Sequence, residues 1–418
     1  MDTNRRTFLA GAGAALTTSL FTGKVKGAND RVALGFIGVG RMGNGNLESA
    51  MKENIAVAAI CDVYQPHLER TVAVARRQGH EPKSIKDFRD VLGDKSIDAV
   101  CISTPDHWHP LMTVEACKAG KDVYVEKPVC TRVDEAPIMV AAARKYQRVV
   151  QVGTLTRSSG HMPTVREVVR SGRLGTVTFV RTWTYGLEPR HGIGSPADGA
   201  PPAGLDWDLW LGPAPYRPFN HNRFQVERGG WSAFRYFWDY AGGHLTDIGV
   251  HIIDLLQMAF GETAPRSVHA YGRKGYLEDN RETPDTMVVT YEYPEFLMAF
   301  ELRLGSEQSM FGKSSGILVH GSDATLYFGR APYYQIYAEQ PPEPQPPNPV
   351  GELPAFSAEA ERRRREAQAA GERPERPQEF PPAVAPEAEV NQAFEPTETH
   401  VANFLRCIRT RERPIADI

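Results

Sequence analysis

Four side chains in one short stretch, His244, Asp247, His251 and Asp254, are of the types that exchange protons or bind cations. Residues 246–260 read as a helix, which places Asp247 and His251, four apart, on one face with Asp254 a turn further along. A carboxylate there orients an imidazole and stabilises its protonated form, and histidine is the side chain whose ordinary pKa suits proton exchange near neutrality. The spacing alone is equally that of a helix-stabilising surface pair. A third reading has the two imidazoles and two carboxylates around a divalent ion. Lys127, which follows the apolar run Val123 to Glu126, is the other candidate, because an ammonium at a strand end can hydrogen-bond a reacting hydroxyl and favour its alkoxide. Pro128 fixes the turn after it and is compatible with a cis peptide.

Leading into the helix is an aromatic stretch, Trp231, Phe234, Arg235, Tyr236, Phe237, Trp238, Asp239 and Tyr240. Flat rings stack on the C–H faces of a sugar, and the charged groups between them bind its hydroxyls. Arg235, Trp238, Asp239 and His244 are therefore expected substrate contacts, together with Arg157, which follows the strand end Gln151-Val152-Gly153. The same stretch also reads as a packed β-to-α connection.

These groups need a scaffold, and Arg31 to Asp62 supplies its first part. The strand Val32 to Ile37 runs into Gly38-Val39-Gly40-Arg41-Met42-Gly43, and a second apolar run, Ile55 to Cys61, ends in Asp62. This is a dinucleotide-binding fingerprint with strand, helix, strand and acid all in place. Gly38 allows the tight turn, Gly40 admits a pyrophosphate, Gly43 lets the helix pack on the strand, and the helix N-terminus at Arg41 and Met42 faces the phosphates. Asp62 suits a ribose diol and repels a 2′-phosphate, so NAD is expected in preference to NADP.

Apolar strands then alternate with helical stretches up to Val152, the rhythm of a doubly wound parallel sheet. Ligands sit outside the carboxyl ends of such strands, where Thr104-Pro105-Asp106-His107-Trp108-His109 and Glu126-Lys127-Pro128 fall. Thr104, Pro105, His107, His109, Glu126 and Lys127 are thus expected to line the cofactor crevice. Hydride transfer to NAD needs no metal, so none is expected.

After residue 153 the texture changes to long runs with partial alternation, such as Phe296, Met298, Phe300 and Leu302, predicting a large, mostly antiparallel, open-faced sheet in an α+β domain. The region 186–230, rich in Gly, Pro and aromatics, reads as loops around a site. The expected organisation is a leader over 1–30, a Rossmann domain over 31–153, an α+β domain for substrate and oligomer contacts over 154–338, a Pro-rich charged insertion over 339–399, and a helix within 400–418. With 418 residues, 41% hydrophobic and 24% charged, and a net charge of -3, the chain suits two globular cores and offers no field for nucleic acid or an anionic membrane. The five cysteines lack the density of a disulfide framework and read as core residues. Asn4-Arg5-Arg6-Thr7-Phe8-Leu9, followed by a small-residue apolar run, has the form of a twin-arginine export signal, implying the export machinery as a partner and a periplasmic or envelope location.

Together the glycine turn, Thr104 to His109, Glu126-Lys127-Pro128 and Gly243-His244-Leu245-Thr246-Asp247-Ile248-Gly249-Val250-His251 resemble the Gfo/Idh/MocA oxidoreductases. The resemblance runs from Val32 to Phe328 and resumes over the last twenty residues. It implies a Rossmann domain followed by an open-faced α/β domain whose sheet often mediates homo-oligomers. It also implies that Lys127, Asp247 and His251 are the catalytic lysine, aspartate and histidine. Family members commonly continue past the equivalent of Ile418, so a shortened C-terminus is expected, and His244 stands where many carry a small residue. The activity implied is oxidation of a secondary hydroxyl of a sugar, polyol or glycoside. Export implies a retained NAD, since free dinucleotide is scarce outside the cytoplasm, and so favours either paired sugar redox or a redox-neutral NAD-dependent glycoside hydrolase. A non-catalytic NAD- and sugar-binding protein is the alternative of another class.

Overall fold

The computed structural model describes residues 31–224, 232–261, 264–310, 312–331, 333–339 and 399–418, with short fragments between 340 and 398. The paired-arginine leader, Trp231 and most of the Pro-rich insertion lie outside the described residues. Six parallel strands, β1 (Val32–Ile37), β2 (Ile55–Cys61), β3 (Lys83–Ile85), β4 (Ala99–Ile102), β5 (Asp122–Val125) and β6 (Val150–Val152), form one sheet in the order β3-β2-β1-β4-β5-β6. The order reverses between β1 and β4, and that switch point opens the crevice at the strands' carboxyl ends. The central strands are buried on both faces, which is why Ala99-Val100-Cys101-Ile102 reads as an unbroken apolar run. Helix α1 (Arg41–Ala50) follows β1 and covers one face through Leu47 and Ala50.

The helix His400–Thr410 returns to this domain. Thr399 caps its start by accepting from the Ala402 amide at 3.0 Å. Phe404, Leu405 and Cys407 enter the same apolar cluster as Leu47, Tyr124 and Val149. Beyond it, the Val152 amide donates to the Ala416 carbonyl at 2.9 Å, and Arg411 pairs with Asp122 at 2.6 Å. The sequence shows the helix but not that it packs on a face of the first domain's sheet, or that the segment after it runs beside the edge strand β6.

The second domain is built on a mixed, mostly antiparallel sheet. Its order is Ser267–Arg273, Thr286–Glu292, Leu297–Arg303, Val177–Leu187, Ser315–Gly321, Ala324–Phe328, Tyr334–Ala338 and Ala388–Val390, with Gly305–Ser306 paired to Val177–Leu187. Leu297–Arg303 and Val177–Leu187 are parallel, and the other pairs are antiparallel. Ser315–Gly321 and Ala324–Phe328 are the two strands of a hairpin turned at Ser322 and Asp323. Phe296, Met298, Phe300 and Leu302 all point inward to the helices Met162–Arg170 and Val250–Phe260. The opposite face leaves Tyr271, Val288 and Leu297 exposed.

The region expected as loops, 186–230, contributes to a small core of its own. Trp207, Trp210, Phe219 and Phe224 are buried with Phe234, Phe237 and Tyr240. From this core the chain reaches back across the Rossmann domain: the Gln65 amide donates to the Gly204 carbonyl at 2.9 Å, the Asp206 amide to Val63 at 3.0 Å, and Trp108 Nε1 to Trp210 at 2.9 Å. Lys86 and Asp206 add an ion pair at 2.7 Å. These contacts fix one wall of the crevice. Among the described residues, no helix is long and apolar enough to cross a membrane.

Candidate active site

The crevice is a cleft of about 1530 Å³ including its open mouth, lined on one side by the β1 turn, Asp62, Thr104 to Asp106, Glu126 and Lys127. Trp210, Phe224, Phe234, Arg235 and Arg330 of the second domain line the other side.

At its dinucleotide end the backbone is packed closely. Gly38 has φ +79°, and a Cβ on Gly43 would stand 2.0 Å from the Gly38 carbonyl oxygen, so α1 can leave the strand at this angle only with glycine at both positions. Gly40 caps α1 without a side-chain hydrogen bond and has open space where a Cβ would be, leaving the first amides of the helix available to an anion. Asp62 is held by two amides, Val39 donating to Oδ2 and Tyr64 to Oδ1, both at 2.8 Å. The carboxylate is thereby fixed on the cleft wall, as ribose recognition requires.

At the other end Lys127 follows β5 and is joined to Pro128 by a cis peptide. Its Nζ donates to Asp247 Oδ1 at 2.6 Å and to the Asp247 carbonyl at 2.9 Å. Arg235 Nε donates to the same Oδ1 at 2.9 Å. Burial alone would raise the Asp247 pKa, but Arg235 and Lys127 outweigh it and hold the carboxyl at about 2. It is therefore an anion at any physiological pH.

Residues 246–260 were expected as one regular helix. Instead Leu245–Gly249 form a wide π-turn and the α-helix begins at Val250. Thr246 Oγ1 takes the Gly242 amide and donates to Gly243, anchoring the entry, and such turns recur where a helix must present backbone groups to a site. His251 lies just beyond, 5% exposed, and its Nδ1 has no hydrogen-bond partner among the described residues. Burial and the positive charges of Lys127 and Arg330 push its pKa down to about 3, so the imidazole is neutral.

Glu126 is buried beneath the lysine. Asn46 donates to its Oε1 at 2.9 Å and the Lys127 amide to Oε2 at 3.2 Å, while burial raises its pKa. Asp106, 4% exposed and on the cleft wall, is pushed up to about 7, again chiefly by burial. Neither Asp106 nor Arg330 was singled out from sequence. Asp106 lay within a motif read for its cofactor contacts, and Arg330 follows a strand whose pattern carries no site signal.

The remaining expected residues lie elsewhere. His107 is buried against Trp210 and Tyr240, away from the cleft lining. His109 stands between the Pro128 and Thr104 carbonyls, at 2.6 and 2.9 Å, and ties the two cleft segments together. Arg157 pairs with Asp254 at 2.8 Å and donates to the Ile415 carbonyl. Trp238 is exposed, Asp239 pairs with Arg217 and Arg223, and His244 Nε2 faces Glu188 and Tyr236, both at 3.4 Å. None of these last five lines the cleft. The four groups of the metal reading do not converge, since Asp254 is engaged by Arg157, Asp247 by two cations and His244 by Glu188.

Residues 32–154 match the model of an oxidoreductase family's NAD-binding Rossmann fold, Gfo/Idh/MocA, and residues 164–292 match that family's C-terminal alpha/beta domain. Among curated proteins the chain is 35% identical over 125 residues to a glycosyl hydrolase family 109 protein of a Shewanella species, covering 28% of this chain and 27% of that protein. It is 31% identical over 172 residues to inositol 2-dehydrogenase of Rubrobacter xylanophilus, covering 41% and 49%. The chain thus spans less than half the length of the curated relatives it matches. Among solved structures, the WlbA dehydrogenase of Bordetella pertussis, in complex with NADH and UDP-GlcNAcA, superposes with a TM-score of 0.54 at 21% identity, over 72% of this chain and 79% of that one.

Proposed function

We propose that this chain, which belongs to the Gfo/Idh/MocA family of oxidoreductases, oxidises a secondary hydroxyl of a sugar, polyol or glycoside with NAD. The observation that carries this reading is the Lys127–Asp247 pair at 2.6 Å, with Lys127 on the wall of the cleft that holds the glycine turn and Asp62. The open, uncapped α1 terminus at Gly40 and the fixed Asp62 fit a dinucleotide, with Gly38, Thr104, Pro105 and Glu126 beside it. When bound, that group supplies the hydride acceptor.

Lys127 is an ammonium held in place by an ionised partner, so it can hydrogen-bond a substrate oxygen and stabilise negative charge developing there. Asp247 positions Lys127 and is itself shared with Arg235. Arg235, Phe234 and Trp210 supply one charged and two flat surfaces, a combination suited to a ring bearing hydroxyls. His251, the base expected from sequence, is buried and its imidazole is neutral, the form that can accept a proton. The direct test is reduction of NAD on addition of a polyol and sugar panel to the wild type, with loss of turnover but not of NAD binding in Lys127→Met.

A redox-neutral glycoside hydrolase, acting through a transient keto-sugar, is the second reading, favoured by the family 109 relative. Hydrolysis of an aryl glycoside with no net NADH formed would select it; accumulation of a keto-sugar with NADH would select the dehydrogenase. We also propose export by the twin-arginine route, a periplasmic or envelope location with retained NAD, and self-association through the open face of the second sheet. Membrane fractionation and sedimentation of the full chain test these.

A further inference from the structure

We propose that the helix Trp207–Leu211, with Gly204 to Asp206 before it, is a clasp that the second domain lays over the adenosine half of the dinucleotide, and that NAD enters and leaves when this clasp lifts. The inference rests on the dinucleotide site alone and does not depend on which hydroxyl is oxidised.

The clasp is tied to the loops after three of the parallel strands. After β2 it forms a short antiparallel bridge, the Asp206 amide donating to the Val63 carbonyl at 3.0 Å and the Gln65 amide to the Gly204 carbonyl at 2.9 Å. After β3, Lys86 pairs with one oxygen of the Asp206 carboxylate at 2.7 Å, while the other caps the helix by accepting from the Leu209 amide at 3.0 Å. After β4, Trp108 Nε1 donates to the Trp210 carbonyl at 2.9 Å. The first and third ties lie on opposite sides of β1, so the segment bridges the crevice and does not rest on one bank.

Beneath it lies the ribose acid. Asp62 immediately precedes Val63, and Leu209 and Trp210 line the same cleft as Asp62, Asp87 and Phe88. Phe224, from the same small core, has its ring 5.2 Å from that of Tyr64 and 6.4 Å from that of His67, and His67 Nδ1 stands 3.6 Å from Asp62 Oδ2. A ribose held by Asp62 therefore has second-domain side chains beside it, and the apolar walls Leu209, Trp210 and Phe88 suit a flat purine. The far end of the clasp is closely fitted: Gly212 has φ +48°, and a Cβ there would stand 1.9 Å from the Trp108 ring. The ties are hydrogen bonds and one partly exposed ion pair, whereas behind them Trp207 stacks on Trp210 at 4.6 Å within one continuous aromatic core. The clasp can thus part from the first domain as a body, without unfolding.

Two variants outside the cleft lining test this. Tyr64 and Leu205 are a non-hydrogen-bonded antiparallel pair, a geometry with Cα atoms about 4.5 Å apart and within reach of a disulfide. The full chain carrying Tyr64→Cys and Leu205→Cys is loaded with NADH, oxidised with glutathione disulfide and mixed with excess NAD while NADH fluorescence is followed. Release is expected to be about tenfold slower or more in the cross-linked than in the reduced form, uptake of NADH by protein cross-linked while empty should slow likewise, and a thiol reductant should restore both. Gly212→Ala, whose methyl drives the clasp off Trp108, should release NADH about tenfold faster than wild type. Equal or faster release after cross-linking, or failure of the two cysteines to pair, overturns the proposal. Slower release with unchanged uptake marks a tightened site without a gate and overturns it too, as does release at the wild-type rate by a folded Gly212→Ala. Should Gly212→Ala not fold, the cross-linked protein decides. No readout uses a substrate, so failure of sugar oxidation leaves the clasp standing, whereas a wild type that binds no NADH removes the clasp and the oxidation reading together.

Discussion

Lys127 and Asp247, 120 residues apart in the chain, meet as a buried ion pair at 2.6 Å, each less than a tenth exposed. One comes from the end of a Rossmann strand and the other from a π-turn in the second domain, so the pair exists only when the two domains are correctly apposed. Removing either partner has unequal consequences. Lys127→Met leaves Asp247 bonded to Arg235, whereas Asp247→Ala leaves two buried cations facing one another. Urea denaturation should find Asp247→Ala destabilised by about 3 to 5 kcal/mol and Lys127→Met by clearly less.

Acid should destabilise the protein well above the pH at which ordinary carboxylates titrate. Burial lowers the pKa of His107 and His400 to about 4 and that of His251 to about 3, from 6.5. The unfolded chain therefore binds more protons than the native one between about pH 6.5 and pH 3, and stability falls as pH drops through that window. Thermal melts from pH 7 to pH 4 should show a steep loss, and His400→Gln should flatten it.

Asp106 has the opposite sign. Its pKa is raised from 3.8 to about 7, so the native state holds a proton that the unfolded state releases, and the favourable contribution present at low pH is lost as pH rises from about 4 to 7. Asp106→Asn should consequently be more stable than wild type at pH 8, with the gap narrowing at pH 5. Equal stabilities at pH 8 would contradict the burial assigned to this carboxyl.

At the dinucleotide end, Gly43→Ala forces a methyl into the Gly38 carbonyl, with 2.0 Å available. Isothermal titration should show NAD affinity reduced at least tenfold. Asp62→Ser should narrow the preference for NAD over NADP by removing the repulsion of a 2′-phosphate, and should also cost stability because Val39 and Tyr64 lose their acceptor.

The parts of this fold carried by local pattern were legible in the sequence. The strand, glycine turn, helix and Asp62 are one continuous unit, and the alternation of Phe296, Met298, Phe300 and Leu302 marks one face of a sheet directly. Long-range destinations were not legible. Arg157 follows a strand end as a pocket residue would, yet a distant acid, Asp254, takes it. Asp239 and His244 are likewise claimed by Arg217, Arg223 and Glu188 across loops that have no periodicity. Asp106 was in view but unremarked, because its distinction comes from burial and from the charges of Arg235 and Asp247 in the other domain, which no local pattern records. The π-turn was missed because one wide turn leading into a regular helix leaves no periodicity of its own in the sequence.

The central claim is that Lys127, held by Asp247, binds the hydroxyl that is oxidised with NAD. Absorbance of NADH, followed after myo-inositol, D-glucose or levoglucosan is added to NAD-loaded wild type and Lys127→Met, tests it most directly. The wild type should form NADH with at least one of them, and Lys127→Met, binding NAD equally well, should be slower by at least 10²-fold. Turnover by Lys127→Met close to that of the wild type would contradict the account.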